Sequence, residues 1–61
     1  MKIEVWHEGK TIGYIGSVDH AGHYTVGDEK EAMYLSTEEA CSVLDNIAFE
    51  GTKEGHSFCI V

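Results

Sequence analysis

The sequence predicts a small α+β domain in which one amphipathic helix covers one face of a mainly antiparallel sheet of about three to five strands, in the order β-β-β-α-β. Three observations support this fold class. Apolar and polar residues alternate near the start of the chain, a short apolar run lies at its end, and residues 36–51 repeat apolar positions at helical spacing. With 61 residues the chain has room for one domain only, residues 1–61.

The first two strands are predicted to form a hairpin. Residues 2–7 alternate between apolar and polar side chains, which is typical of a half-buried strand. The dipeptide Glu8-Gly9 is predicted to be a two-residue turn. This turn places Val5 opposite Ile12, so apolar side chains of the two strands face each other.

The second strand is predicted from Thr11 to Val18, followed by a turn at residues 19–22 that is rich in turn-forming residues. A third strand is then predicted at His23–Val26, with Tyr24 and Val26 on the core face.

Two segments connect this strand to the helix. Residues 27–31 are predicted to form a charged loop. The short apolar segment Ala32–Leu35 fits either a further strand or the lead-in to the helix, and the pattern favours the strand.

The helix has the clearest start signal in the sequence, because Ser36 followed three residues later by Glu39 forms a capping box. Gly51 is predicted to end the helix, residues 52–56 to form a loop, and Ser57–Val61 to form the last strand. The apolar stripe of the helix is predicted to consist of Ala40, Val43, Leu44, Ile47 and Ala48.

One helix covers only one face of a sheet, so the other face is predicted to be open. Trp6 is expected on this open face, where an indole has two interpretations. It is an anchor for a partner, or it lies over the backbone of Gly13 in the neighbouring strand. The residues predicted for the open face are Lys2, Glu4, Trp6, Gly13, Ile15 and Ser17.

Cysteine and histidine offer little support for a chemical site. Cys41 and Cys59 are expected to be free, partly buried thiols, because cytosolic thiols stay reduced. Asp19, His20 and His23 form a short cluster, but a zinc site needs a second pair of ligands, so no metal is predicted. No cofactor motif is present, and a chain of this size rarely builds a water-excluding cleft, so no enzymatic activity is predicted.

No run of about 18 apolar residues is present, so no membrane span is predicted, and the expected compartment is the cytosol.

The net charge is −7, and seven of the eleven acids fall between residues 28 and 50. The chain has no arginine, so direct nucleic-acid binding is not predicted. Either these acids form a binding surface for a basic partner or they are a solvated face that maintains solubility. The acids in question are Asp28, Glu29, Glu31, Glu38, Glu39, Asp45 and Glu50.

In length, charge, acidic stretch and strand-helix-strand plan, the chain resembles the small acidic proteins that phages encode against host defences, including anti-CRISPR and anti-restriction proteins that mimic nucleic acid. The resemblance is one of overall profile and transfers no residue roles. It implies a non-enzymatic, protein-binding inhibitor whose acidic surface occupies a basic nucleic-acid-binding site on a protein partner. From its expected exposure on the open face, Trp6 is predicted to join the acids in contacting the partner.

The alternative hypothesis is a small structural or accessory protein that forms a homodimer. It would self-associate through the open sheet face or through the last strand, where Phe58 to Val61 form an apolar run.

Overall fold

The computed structural model describes residues 1–61 and has the predicted α+β architecture. The elements are β1 (Ile3–His7), β2 (Lys10–Val18), β3 (Tyr24–Gly27), a 3₁₀ turn (Glu29–Glu31), α1 (Thr37–Glu54) and β4 (His56–Ile60). All three strand pairings are antiparallel, and the strand order across the sheet is β3-β2-β1-β4. The hairpin strands β1 and β2 are therefore central, and β4 is an edge strand.

The two-residue turn of the first hairpin is confirmed. His7 lies opposite Lys10, and the two loop residues, Glu8 and Gly9, have φ angles of 53° and 80°. Positive φ at both loop positions is typical of the turn whose twist matches that of the flanking strands.

Beyond the turn the predicted register is wrong, because β2 contains a β-bulge. Trp6 pairs with Thr11, but Val5 pairs with Gly13, so Ile12 is an extra residue without a direct partner. Gly13 has a φ of 149°, and a Cβ at this position would come within 2.5 Å of the Gly27 carbonyl oxygen. Glycine is required here because β3 approaches the backbone so closely.

The bulge reverses the faces of β2 only as far as Ile15, because a second irregularity in the pairing, between Ile15 and Ser17, restores them. Ile15, predicted on the open face, is fully buried in the core, whereas Ile12 is 47% exposed. A shift of one residue moves each side chain of a strand to the other face of the sheet, which explains the error. At the edge, Tyr24 packs against the core as predicted, while Val26 is exposed.

Residues 32–35 do not form the favoured strand but the lead-in to the helix. The Met33 amide donates to the Ile15 carbonyl at 3.0 Å, and the Leu35 amide donates to the Met1 carbonyl at 2.7 Å. The Met1 ammonium also donates to the Leu35 carbonyl at 2.6 Å, so the segment bonds to two different neighbours without a ladder along either one.

The predicted capping box is confirmed at the helix start. The Ser36 hydroxyl accepts a hydrogen bond from the Glu39 amide at 3.1 Å, and the Ser36 amide donates to Glu39 Oε1 at 2.8 Å.

Replacing Ser36 with alanine is expected to lower the free energy of unfolding by about 1 kcal/mol, because the hydroxyl acceptor is lost at the helix start. Urea unfolding followed by circular dichroism measures this loss. Ser42→Ala is the control, since Ser42 is exposed within the helix and caps nothing. Equal stability of Ser36→Ala and Ser42→Ala would contradict a stabilising role for the cap.

The predicted helix end at Gly51 is wrong, and so is the loop predicted at residues 52–56. The helix continues to Glu54 and ends at Gly55, whose φ of 75° is the left-handed conformation of a helix C-cap. Gly51 is instead buried, and a Cβ at this position would overlap the ring of Phe58. Its role is to let the helix approach β4.

The core lies between the helix and the sheet. The predicted apolar stripe is confirmed at Ala40 and Ile47, which are fully buried, but Ala48 is exposed and Gly51 takes its place against the sheet. The buried apolar residues are Ile3, Val5, Ile15, Leu35, Ala40 and Ile47.

Candidate functional site

The outward face of α1 carries the most distinctive exposed group in the structure. Positions 38, 42, 45 and 49 follow the spacing of one helix face, opposite the buried positions 40 and 47. Phe49 on this face is 81% exposed. We call the exposed residues Glu38, Ser42, Asp45 and Phe49 the acidic helix face.

The two carboxylates of the acidic helix face have no partners within the chain. The ion pairs of the structure involve Glu8, Glu29 and Glu50, and neither Glu38 nor Asp45 takes part in any hydrogen bond of its side chain. Their charges are therefore fully available to a partner.

Four other acids that were predicted for the binding surface have local partners. Glu29 pairs with Lys2 Nζ at 3.1 Å, Glu50 lies 3.7 Å from His23 Nδ1, and Glu31 accepts from the Asp28 amide at 3.4 Å. The backbone amide of Ser36, and then its hydroxyl, lower the pKa of the Glu39 carboxyl by hydrogen bonding. Whether all seven acids act together stays a prediction.

Trp6 is half-buried on the open sheet face, and its Nε1 donates to Glu4 Oε1 at 2.9 Å. Because the bulge places Gly13 opposite Val5, the register from which a Trp6 cover over Gly13 was predicted does not exist. A shallow depression lies beside the indole and is lined by Glu8, Gly9, Ser57, Phe58 and Cys59.

A second exposed aromatic, Tyr34, stands at the other end of the open face. It is 82% exposed, and Lys2 Nζ lies 5.8 Å from its ring centroid. This side chain has a cation nearby, whereas Phe49 is flanked by acids.

The turn at residues 19–23 uses its aspartate for structure. The Asp19 carboxylate accepts the amides of His23 at 3.0 Å and Ala21 at 2.9 Å. These hydrogen bonds, the one from His23 foremost, lower the pKa of Asp19. No group of three or more histidine, cysteine, aspartate or glutamate side chains is arranged to hold a metal ion.

The two remaining histidines lie near the start of β4. The Tyr24 hydroxyl and His56 Nδ1 form a hydrogen bond of 2.6 Å, and the His7 ring meets the His56 ring edge-on with 5.6 Å between centroids. Tyr24 also meets Phe58 edge-on at 5.6 Å. Since Tyr24 and Phe58 belong to opposite edge strands, these contacts show that the sheet coils around the core. Burial raises the pKa of Tyr24.

Both cysteines are free thiols, as predicted, but the expectation that they are partly buried is wrong. Cys41 is exposed on the helix, outside the stripe that meets the sheet, and Cys59 is exposed on the open face of the edge strand β4.

Phe49 is not among the residues predicted for the binding surface. Its position four residues after Asp45, and eleven after Glu38, placed it on the polar side of the predicted helix. The helical spacing therefore indicates that Phe49 is exposed, because it places this aromatic residue on the charged face of the helix.

Comparisons with protein-family models, with curated proteins and with solved structures found no match for this chain. None of the helices combines the length and the apolar character that crossing a bilayer requires.

Proposed function

We propose that the protein is a non-enzymatic binding module whose acidic helix face docks onto a basic surface of a protein partner. The observation that carries this proposal is Phe49, an aromatic that stands 81% exposed on a helix face whose carboxylates are unpaired. Aromatic residues are enriched among the few side chains that dominate binding energy at protein interfaces.

The two components of the face have different roles in this proposal. Glu38 and Asp45 attract a basic surface and orient the approach of the partner, and the net charge of −7 on the whole chain adds to this attraction. Phe49 enters an apolar pocket of the partner, where its removal from water supplies affinity. Trp6 and its depression lie on the open face of the sheet, on the other side of the molecule, and stay outside this contact.

The docked protein is expected to inhibit a partner that binds nucleic acid. A partner surface that binds a nucleic-acid backbone is basic, and a negative helix face competes with phosphates for it. The protein then acts in the cytosol, where its two free thiols stay reduced. Addition of the protein is expected to displace a labelled oligonucleotide from the purified partner.

The binding test starts with capture of the partner from the source cells by tagged protein. Capture is expected to fall steeply between about 0.05 M and about 0.5 M salt, because screening shortens the reach of the charges. Phe49→Ala is expected to weaken the purified complex by about 2 kcal/mol or more, which is roughly thirtyfold. Glu38→Gln combined with Asp45→Asn is expected to slow association.

Matched controls separate this face from the rest of the surface. Tyr34→Ala removes an equally exposed aromatic, and Glu8→Gln combined with Glu54→Gln removes two charges elsewhere. These variants are expected to bind within about twofold of the wild type, since they lie outside the docking surface. Equal losses in the control and test variants would refute docking through the acidic helix face, and binding that is insensitive to salt would refute the electrostatic mechanism.

A further inference from the structure

The outer edge of β4 has backbone groups without partners. Lys2 and Val61 exchange two backbone hydrogen bonds of 2.9 Å each. In an antiparallel pair such mutual bonds recur at every second residue, so Cys59 and Ser57 also direct their amides and carbonyls toward β1. Phe58 and Ile60 therefore direct theirs to the other side, where the sheet has no further strand.

Nothing in β4 protects this edge from pairing. Edge strands are commonly protected by lysine, proline or a bulge, and His56–Ile60 contains none of these. The other edge strand differs, because β3 has only four residues and leads into the charged 3₁₀ turn. Of the two edges, β4 is the one open to another strand.

We propose that β4 pairs antiparallel with β4 of a second copy of this chain, around a two-fold axis that passes beside Cys59. In this register Phe58 of each copy lies opposite Ile60 of the other. Two such pairs exchange four backbone hydrogen bonds and join the two sheets into one of eight strands.

The side chains support this register on both faces of the sheet. On the core face, Phe58 meets the partly exposed Ile60 of the second copy, and an aromatic paired with a β-branched residue stabilises neighbouring strands. On the open face, Val61 of the second copy lies opposite the small Ser57. It fills the depression beside Trp6, and Val61 is 54% exposed in the single chain.

A second copy suits this edge better than the basic partner of the proposed function does. Residues 57–61 carry no charged side chain, so this strand offers a basic surface no carboxylate side chain and imposes no repulsion between the side chains of two copies. The acidic helix face points away from the sheet, and pairing along β4 leaves it uncovered. Self-association and partner binding are thus separate properties, tested with different variants.

The first test measures the mass of the untagged protein by sedimentation from about 10 μM to about 1 mM. The wild type is expected to shift from monomer to dimer as its concentration rises. Ile60→Lys is expected to weaken the dimer about tenfold or more, because it places a charge between the two β4 strands. Ile12→Lys is the matched control, because Ile12 is an exposed isoleucine on β2, away from the contact between the two β4 strands. This variant is expected to dimerise like the wild type.

The second test determines the register between the two β4 strands, and its result does not depend on whether the Ile60→Lys variant folds. The two Cys59 residues face each other as a non-hydrogen-bonded pair, with Cα atoms about 4.5 Å apart, a separation within the range of disulfides. Diamide oxidises the two thiols by accepting two electrons and two protons as the Sγ–Sγ bond forms. Cys41→Ser, which keeps Cys59, is expected to give a covalent dimer, and Cys59→Ser is expected to stay uncoupled.

Three results would overturn the proposal. These are a monomer at every concentration, a dimer that Ile60→Lys leaves as strong as the wild type, and a dimer whose Cys59 residues do not couple under diamide.

Discussion

Replacing Gly51 with alanine is expected to lower the free energy of unfolding by about 1–3 kcal/mol. In most helix interiors the same substitution raises stability by about 1 kcal/mol, because glycine is a poor helix former. The sign reverses here because the new Cβ overlaps the Phe58 ring, and both residues lie in the contact between α1 and β4.

Urea unfolding of Gly51→Ala and of the wild type measures this difference. Ala48→Gly is the control, since position 48 is exposed, and it is expected to lose only about 0.5–1 kcal/mol through helix propensity. In the double variant with Phe58→Leu, a smaller side chain makes room for the methyl group, so the two substitutions are expected to be non-additive. A Gly51→Ala variant more stable than the wild type would contradict the close contact between helix and strand.

Replacing Ile47 with alanine is expected to lower the free energy of unfolding by about 2–5 kcal/mol. Ile47 is fully buried in a core of only six buried residues. Such a small core has few side chains that can shift into the cavity left by the substitution. A domain of this length holds about 3–9 kcal/mol of stability in total. The variant is therefore expected to lose a large share of its stability and to unfold at a clearly lower temperature than the wild type.

Thermal unfolding followed by circular dichroism tests this, with Ile12→Ala as the control. Ile12 is the same residue type, but the bulge leaves it 47% exposed, and its loss is expected to change stability by about 0.5 kcal/mol or less. Comparable losses in both variants would show that the bulge does not separate the two isoleucines as described.

Residue spacing in the sequence predicts part of the candidate site. The acids of the helix start and middle were recognisable from the sequence, and the spacing of a helix puts Glu38 and Asp45 on the side opposite Ala40 and Ile47 of the predicted apolar stripe. Phe49 follows from the same periodicity, but an aromatic in a sequence is by default assigned to a core. Its exposure was evident only once Ala48 and Gly51 had been placed relative to the sheet.

The local signals of this chain were sufficient for the elements that depend on neighbouring residues. The capping box at Ser36 and the Glu8-Gly9 turn each involve hydrogen bonds or dihedral angles within a few positions, so the residue types alone predict them. The fold class follows in the same way from the order of the periodic segments.

Tertiary packing decided the features in which distant segments meet. The bulge at Ile12, the end of the helix beyond Gly51 and the irregular course of residues 32–35 all depend on how closely two remote backbones approach. From its neighbours in sequence alone, a glycine predicts a turn or the end of a helix. In the structure, Gly13 instead makes room for the backbone of β3, and Gly51 makes room for the Phe58 ring. Contact distances between remote segments are not encoded in any short stretch of residues, and so only the folded chain reveals which face of β2 is buried and which edge of the sheet is open.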